Sequence, residues 1–230
     1  MDRNKGKTAA FFDFDGTILV SHTAHLVARY LRDRRLRSFA GMPLSLLYLF
    51  KVLGGRALRR SGMLSETSMA ALLIDFYRGR DVQAVEEWAT RFYVDYIKPD
   101  ISPQILRVIN KHRESGHVLV MVSGQVKTVL KHAADDMGFD HVICTDLETD
   151  ERGKFTGRSS GMICVDSNKR DLAFSYAAKN SIDLSASFSY GNNEADEAIL
   201  GMVGNSVAVG PTKRLEAIAS ARGWKIIRHE

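Results

Sequence analysis

Two cysteines in 230 residues, Cys144 and Cys164, are too few and too loosely spaced to build a disulfide framework or a thiolate zinc site. A reducing compartment and a place in the core follow for both. The N-terminal stretch "MDRNKGKTAAFFDFDG" offers only five apolar residues before Asp13 interrupts them, which makes no signal sequence. The best apolar run, residues 39–53, contains Pro43 and Lys51 and falls short of the ~20 residues that cross a bilayer. Internal repeats and low-complexity tracts are missing as well. What is there, 45% apolar and 26% charged residues, is ordinary globular composition, enough for one good core with an insert.

Negative charge is nearly absent from one segment. Between Arg29 and Arg60 nine cations stand against Asp33 alone, so a net +8 lies there and the rest of the chain carries −3 of the overall +5. That asymmetry speaks to partners rather than to fold. One reading is an interfacial element on an anionic membrane surface, formed by arginines flanking a Leu-rich helix. The other is a helical cap whose Leu face packs on itself while its arginines face water and draw in phosphorylated substrates. Nucleic acid is excluded as a partner, because no aromatics are interleaved with the arginines and no recognised module is present. The expected location is cytoplasmic, with peripheral contact at the inner face of a membrane through residues 29–60 on the first of these readings.

Along the chain, "KTAAFFD" (7–13) predicts a short buried strand, bounded by Lys7 and an Asp-Gly breaker. Residues 18–100 read as helical. There "LLYLFKVL" (46–53) and "VQAVEEWATRFYVDYI" (82–97) carry apolar faces, the latter with Val85, Trp88, Ala89, Phe92 and Tyr96 together and Asp81 as N-cap. After Pro99 the texture alternates. Ser102-Pro103 starts a helix that Gly116 ends, "HVLVMV" (117–122) is a central strand, and helices 126–137, 168–180 and 211–222 intersperse strands 141–145, 185–190, "SVAV" and "KII". "ETDERGKFTG" suits a hairpin. Strands separated by helices imply right-handed crossovers, hence an α/β fold: a doubly wound parallel sheet with an inserted helical cap. The expected division is a core of residues 1–17 and 101–230 and a cap of 18–100.

In such sheets the site lies beyond the carboxyl ends of the strands. Asp13 and Asp15 follow the first strand, Ser123-Gly124 follow "HVLVMV", Gly191-Asn192 and Asp196 follow "SASFSY", and Lys169 opens the helix before it. Carboxylates two apart at a strand end face one crevice, where one serves as nucleophile and the other as acid and base. An attacking carboxylate and a phosphate must both have their charge offset, which Mg²⁺ on hard oxygen ligands and a Lys ammonium supply. Ser123 and nearby N–H groups would hold the phosphoryl oxygens, and Gly124 would keep a side chain out of their way. As a helix N-cap before Gln125, Ser123 would direct the same N–H groups. Lys169 is favoured over Lys154 and Lys179 because its helix leads to the last strand. His22 and His25 fall at i and i+3 without a third metal ligand.

Asp13-Phe14-Asp15-Gly16-Thr17, then Ser123, Lys169 and Gly191-Asn192-x-x-x-Asp196, resemble in order the four motifs of the haloacid dehalogenase superfamily, over roughly residues 8 to 228. The insert and "GKFTG" (153–157) resemble its phosphoserine-phosphatase-like branch, subfamily IB, with a helical C1-type cap; the Arg-flanked segment resembles the cap of its bacterial phosphatidylglycerophosphatases. The resemblance implies an aspartyl-phosphate on Asp13, acid and base work by Asp15, and Mg²⁺ held by Asp13, the Asp15 carbonyl and the Asn192/Asp196 pair. Phe14, Ser123, Gly124, Lys169 and His22 then lie on the substrate side. Two departures stand out: Asn192 replaces the usual Asp, and His22 replaces the Glu that holds the ammonium of phosphoserine. The expected function is a Mg²⁺-dependent phosphomonoester phosphatase for a small alcohol phosphate or a lipid headgroup phosphate. Its alternative, motivated by Asn192, is a weakened member that binds a phosphorylated ligand or an anionic membrane surface.

Overall fold

The computed structural model describes residues 6–34, 52–55, 58 and 62–229. Six parallel strands form the sheet, in the order β3-β2-β1-β6-β7-β8: β1 (Ala9–Phe12), β2 (Val118–Val126), β3 (His141–Thr145), β6 (Phe188–Gly191), β7 (Asn205–Val209) and β8 (Lys225–Ile227). Between them β4 (Leu147–Thr149) and β5 (Phe155–Ser159) make the antiparallel hairpin expected of the "GKFTG" stretch. The chain steps from β1 outward to β3 and then returns to the other side of β1. That reversal opens a crevice beyond the carboxyl end of β1, where the first motif begins.

Burial explains the central strand. Ala9, Ala10, Phe11 and Phe12 are all at 0% exposure, so both faces of β1 are covered, as an all-apolar parallel strand requires. Phe11 joins the core on the side of α6 (Asp166–Lys179), while Phe12 joins the larger core under α4 (Pro103–Glu114) and α5 (Lys127–Asp136). Phe12 stacks on Tyr190 with centroids 4.3 Å apart, and Phe139 and His112 meet its edges. His112 bridges Tyr190 Oη and His117 Nδ1 at 2.7 Å each; burial, aided by His117, lowers its pKa to about 4, so it packs as a neutral ring. Cys164 is buried and Cys144 half-buried, both as free thiols.

Three further helices follow β1: α1 (Thr23–Asp33), α2 (Glu66–Ile74) and α3 (Val82–Phe92), the last capped by Asp81 as its sequence implied. Ser102 and Gly116 bound α4 in the same expected way. The chain leaves and re-enters the sheet domain side by side: Leu19 pairs with Ile101, Val20 N–H donates to Asp100, and Ser21 donates twice to the Asp100 carboxylate. A second tie lies far from this hinge. The Arg80–Val82 segment exchanges backbone hydrogen bonds with Gly153 and Phe155 of the hairpin, and Tyr77 meets Phe155 edge-on.

The basic segment 29–60 and the "LLYLFKVL" helix fall largely outside the described residues. Three of its arginines are described, and each has an acidic partner: Arg29 and Arg32 meet Asp33, and Arg34 meets Asp95. Among the described residues no helix is long and apolar enough to cross a membrane. Phe12→Ala is expected to destabilise the fold by about 3–5 kcal/mol, because it empties a fully enclosed ring site. A urea midpoint shift at unchanged slope checks it.

Candidate active site

β1 ends at Phe12, and the next residue keeps sheet contact only through its N–H, which donates to the Tyr190 carbonyl at 2.9 Å. Asp13 thus leaves the strand with its side chain free of the ladder yet held at the crevice. Its Oδ1 accepts from Lys169 Nζ at 2.6 Å and its Oδ2 from Thr17 Oγ1 at 3.0 Å. Lys169 Nζ also donates to Asp196 Oδ1 at 2.6 Å, and all three residues are buried. Lys169 in the first turn of α6, Asp13 after β1 and Asp196 after β6 are therefore joined by one ammonium.

Electrostatics set the protonation states. Burial, then the Asp196 charge, push the Asp13 carboxyl up to about 7, against the pull of Lys169. Burial alone would lower the Lys169 pKa, but Asp13 and Asp196 outweigh it and hold the ammonium charged, above its ordinary range. Asp15 adds a smaller push on Asp13, so three carboxylates share this edge with one ammonium, which touches two of them, and the crevice is short of positive charge.

Asp15 lies beyond the strand on a tight turn, and three donors fix it. Thr23 N–H and Oγ1 reach its Oδ1 at 2.5 and 2.6 Å, and Gln125 Nε2 reaches its Oδ2 at 3.2 Å. Gly16 makes the turn at φ +77, and a Cβ there would lie 2.0 Å from Asn192 Nδ2. Only glycine satisfies both conditions, which explains the Asp-x-Asp-Gly order from conformation and close approach together. Asn192 is buried against that turn, its Oδ1 accepting from Asn193 Nδ2 at 2.7 Å and its carbonyl from Thr212 N–H.

The remaining sequence-derived residues fall in several places. Ser123 is buried beside the crevice within β2, three residues before the strand ends, and it caps no helix: its Oγ accepts from Gln125 N–H at 3.2 Å, and the chain stays extended until α5 begins at Lys127. Gly124 has a packing reason, since a Cβ would meet Val165 Cγ1 at 3.0 Å and the Cys164 carbonyl at 3.3 Å. Phe14, expected on the substrate side, is at 0% exposure inside the larger core, because the middle residue of the turn points back under the sheet while its two acidic neighbours face out. Asp196, expected among the metal ligands, has both oxygens engaged: Oδ1 by Lys169, and Oδ2 by the N–H groups of Asn192 and Asn193 at 3.0 and 3.3 Å. His22 lies against the Gly16 turn with its ring edge-on to His25.

Four participants escaped the sequence reading. Thr17 was quoted within the motif without a role, and Thr23 and Gln125 carry no signal at all because their importance depends on reaching Asp15. The fourth, His229, comes from the far end of the chain: Nε2 lies 3.1 Å from the Gly16 carbonyl and Nδ1 3.3 Å from Ser102 Oγ. Among the described residues no three His, Cys, Asp or Glu side chains form a metal cluster. Hard oxygens line the crevice at Asp13, the Asp15 carbonyl and the Asn192 amide; like those of Asp196, the side-chain oxygens of Asp13 and Asn192 each already accept a hydrogen bond. A cavity of about 650 Å³ around His112 and Trp224 opens at the amino ends of the strands and is lined by none of these groups.

Comparison with known proteins agrees with this geometry. Residues 10–200 match the haloacid dehalogenase-like hydrolases. The chain is similar to the inhibition of morphological differentiation protein of Streptomyces azureus, 28% identical over 96% of this chain and 78% of that one. It is 27% identical to a phosphoserine phosphatase of Mycobacterium tuberculosis, covering 95% and 70%, and 22% identical to a histidinol-phosphatase of Neisseria meningitidis, covering 96% and 98%. Among solved structures, a Bordetella pertussis protein of unknown function superposes with a TM-score of 0.84 at 24% identity, covering 96% and 98%. A phosphoserine phosphatase carrying a phospho-aspartyl analogue superposes at 0.69 with 18% identity, covering 98% and 95%. With its motifs in order on this sheet edge, the chain belongs to the haloacid dehalogenase-like hydrolase family, among relatives named as phosphatases.

Proposed function

We propose that the chain is a Mg²⁺-dependent phosphomonoester phosphatase working through an aspartyl-phosphate on Asp13, with residues 18–100 as the substrate-selecting cap. The observation that carries this reading is the buried Lys169 ammonium, 2.6 Å from both Asp13 and Asp196, beside the separately held acid Asp15. Asp13 attacks phosphorus with a carboxylate oxygen as the bond to the alcohol oxygen breaks, and Asp15 gives that oxygen its proton. Asp15, then a carboxylate, takes a proton from water while the water oxygen attacks phosphorus. Inorganic phosphate leaves and Asp13 is restored. Lys169, Ser123 and the N–H groups after β2 hold the phosphoryl oxygens, and Asp196 keeps Lys169 aimed.

The donor set fits Mg²⁺: its oxygens are hard, and the crevice lacks positive charge. Asp13, the Asp15 carbonyl and the Asn192 amide oxygen would hold the ion, which when bound offsets phosphate charge and draws electron density from phosphorus. The named phosphatase relatives support the reaction class, and the small-molecule phosphates in their names support a small phosphate ester as substrate.

Phosphate release from a panel of alcohol phosphates is expected to require Mg²⁺ and to fall by about a thousandfold or more in Asp13→Asn. A wild-type chain that binds phosphate esters but stays inert with Mg²⁺, and that gains activity in Asn192→Asp, would overturn this in favour of a natural binder.

A second expectation concerns pH. Because Asp13 is pushed to about 7, a cation arriving below that pH must displace its proton, so Mg²⁺ affinity should rise with pH and level off above about 7. Calorimetry in two buffers of different ionisation heat would show proton release on binding at pH 6 that vanishes at pH 8. Gly16→Ala is expected to leave a folded protein with activity lowered at least tenfold, since the turn must move Asn192 aside; circular dichroism and turnover read the two separately.

A further inference from the structure

The second cavity, about 500 Å³, lies between the inserted helices and the sheet domain, and it opens against the groups that hold Asp15. Thr23 and Gln125 line its inner end, and both donate hydrogen bonds to the Asp15 carboxylate. If Asp15 protonates the departing alcohol, that alcohol's carbon skeleton extends into this space. The walls are apolar and aromatic: Tyr30, Leu73, Phe76, Trp88 and Val129 face it, with Trp88 braced by Phe92 stacked at 5.1 Å and by Tyr30 edge-on at 6.0 Å.

Two features exclude a small zwitterion. The volume is in the range that holds a drug-sized molecule, far more than a three-carbon amino acid fills. And among the described lining residues the one carboxylate, Asp81, already accepts from Ala84 N–H as the cap of α3, so an ammonium group in the cavity would share that single counterion with the helix cap against otherwise apolar walls. The one guanidinium, Arg80, lies over the Phe76 ring at 4.8 Å and donates Nε to the Phe76 carbonyl.

Resting on the phosphatase reading, we propose that the substrate is the phosphate monoester of an apolar alcohol, whose alkyl or aryl skeleton fills this cavity while its phosphate meets Asp13. Linear alkyl phosphates test this without changing the leaving-group chemistry. From ethyl through butyl to hexyl phosphate, kcat/KM is expected to rise about fourfold per methylene, the transfer preference of a buried CH₂, and to exceed that for phosphoserine and phosphoethanolamine. Non-hydrolysable alkyl phosphonates should show the same slope in Kd by calorimetry. Ala70→Trp, which fills the cavity, should flatten both slopes.

Turnover without dependence on chain length, or with phosphoserine preferred, overturns the proposal and leaves the phosphatase reading standing. A slope in phosphonate binding without turnover of any ester supports the cavity's chemistry and overturns the phosphatase reading. Comparing dispersed hexyl phosphate with phosphatidic acid in phosphatidylcholine vesicles identifies whether the apolar alcohol comes from solution or from a bilayer; faster turnover of either supports the shared chemistry, and turnover of phosphoserine with neither of these hydrolysed overturns it.

Discussion

One buried ammonium organises this molecule. Lys169 gives up water at the base of α6 and recovers its interactions from Asp13 and Asp196 at 2.6 Å each. Because neither the cation nor the two anions could be buried alone, the three strand and helix ends that carry them are obliged to converge. Asp196 extends the constraint by accepting the N–H groups of Asn192 and Asn193, and Asp13 by accepting from Thr17. The crevice is therefore a consequence of how the sheet edge satisfies its charges, and the same geometry holds the Asp13 carboxylate against a cation.

The excess of carboxylate over ammonium at this edge is a cost borne by the folded state. Asp13 relieves it by binding a proton up to about pH 7, and any divalent cation entering beside it relieves it by charge. The inserted helices meet the edge through a different set of contacts. They are tied at the hinge by Asp100 with Ser21 and at the hairpin by backbone pairing with Gly153 and Phe155.

Much of this edge was readable from the sequence because parallel strands advertise themselves. An all-apolar run such as "AAFF" ending in acids has one physical use, and β3, β7 and β8 fall where alternation with helices placed them. What sequence hid were directions. Phe14 shares a motif with Asp13 and Asp15 yet turns into the core, and Asp196 shares one with Asn192 yet spends both oxygens on Lys169 and backbone. Ser123 lies one extended stretch away from the helix it was expected to cap, since β2 runs to Val126. The contacts of Thr23, Gln125 and His229 depend on separations of 8, 110 and 213 residues along the chain, beyond any local pattern.

Asn192 gains its meaning from this arrangement. Its side chain occupies the narrow gap against the Gly16 turn, where an added Cβ would come within 2.0 Å of it, so size is restricted there to something close to an amide or a carboxylate. A carboxylate there would add a further charge to a buried edge that already holds Asp13, Asp15 and Asp196, and each further charge raises the pKa of its neighbours and weakens the fold. The amide adds no charge there, and its Oδ1 accepts from Asn193 Nδ2 at 2.7 Å. An amide therefore fits the gap without adding charge to a buried edge where Asp13 already sits against Asp196 and Lys169.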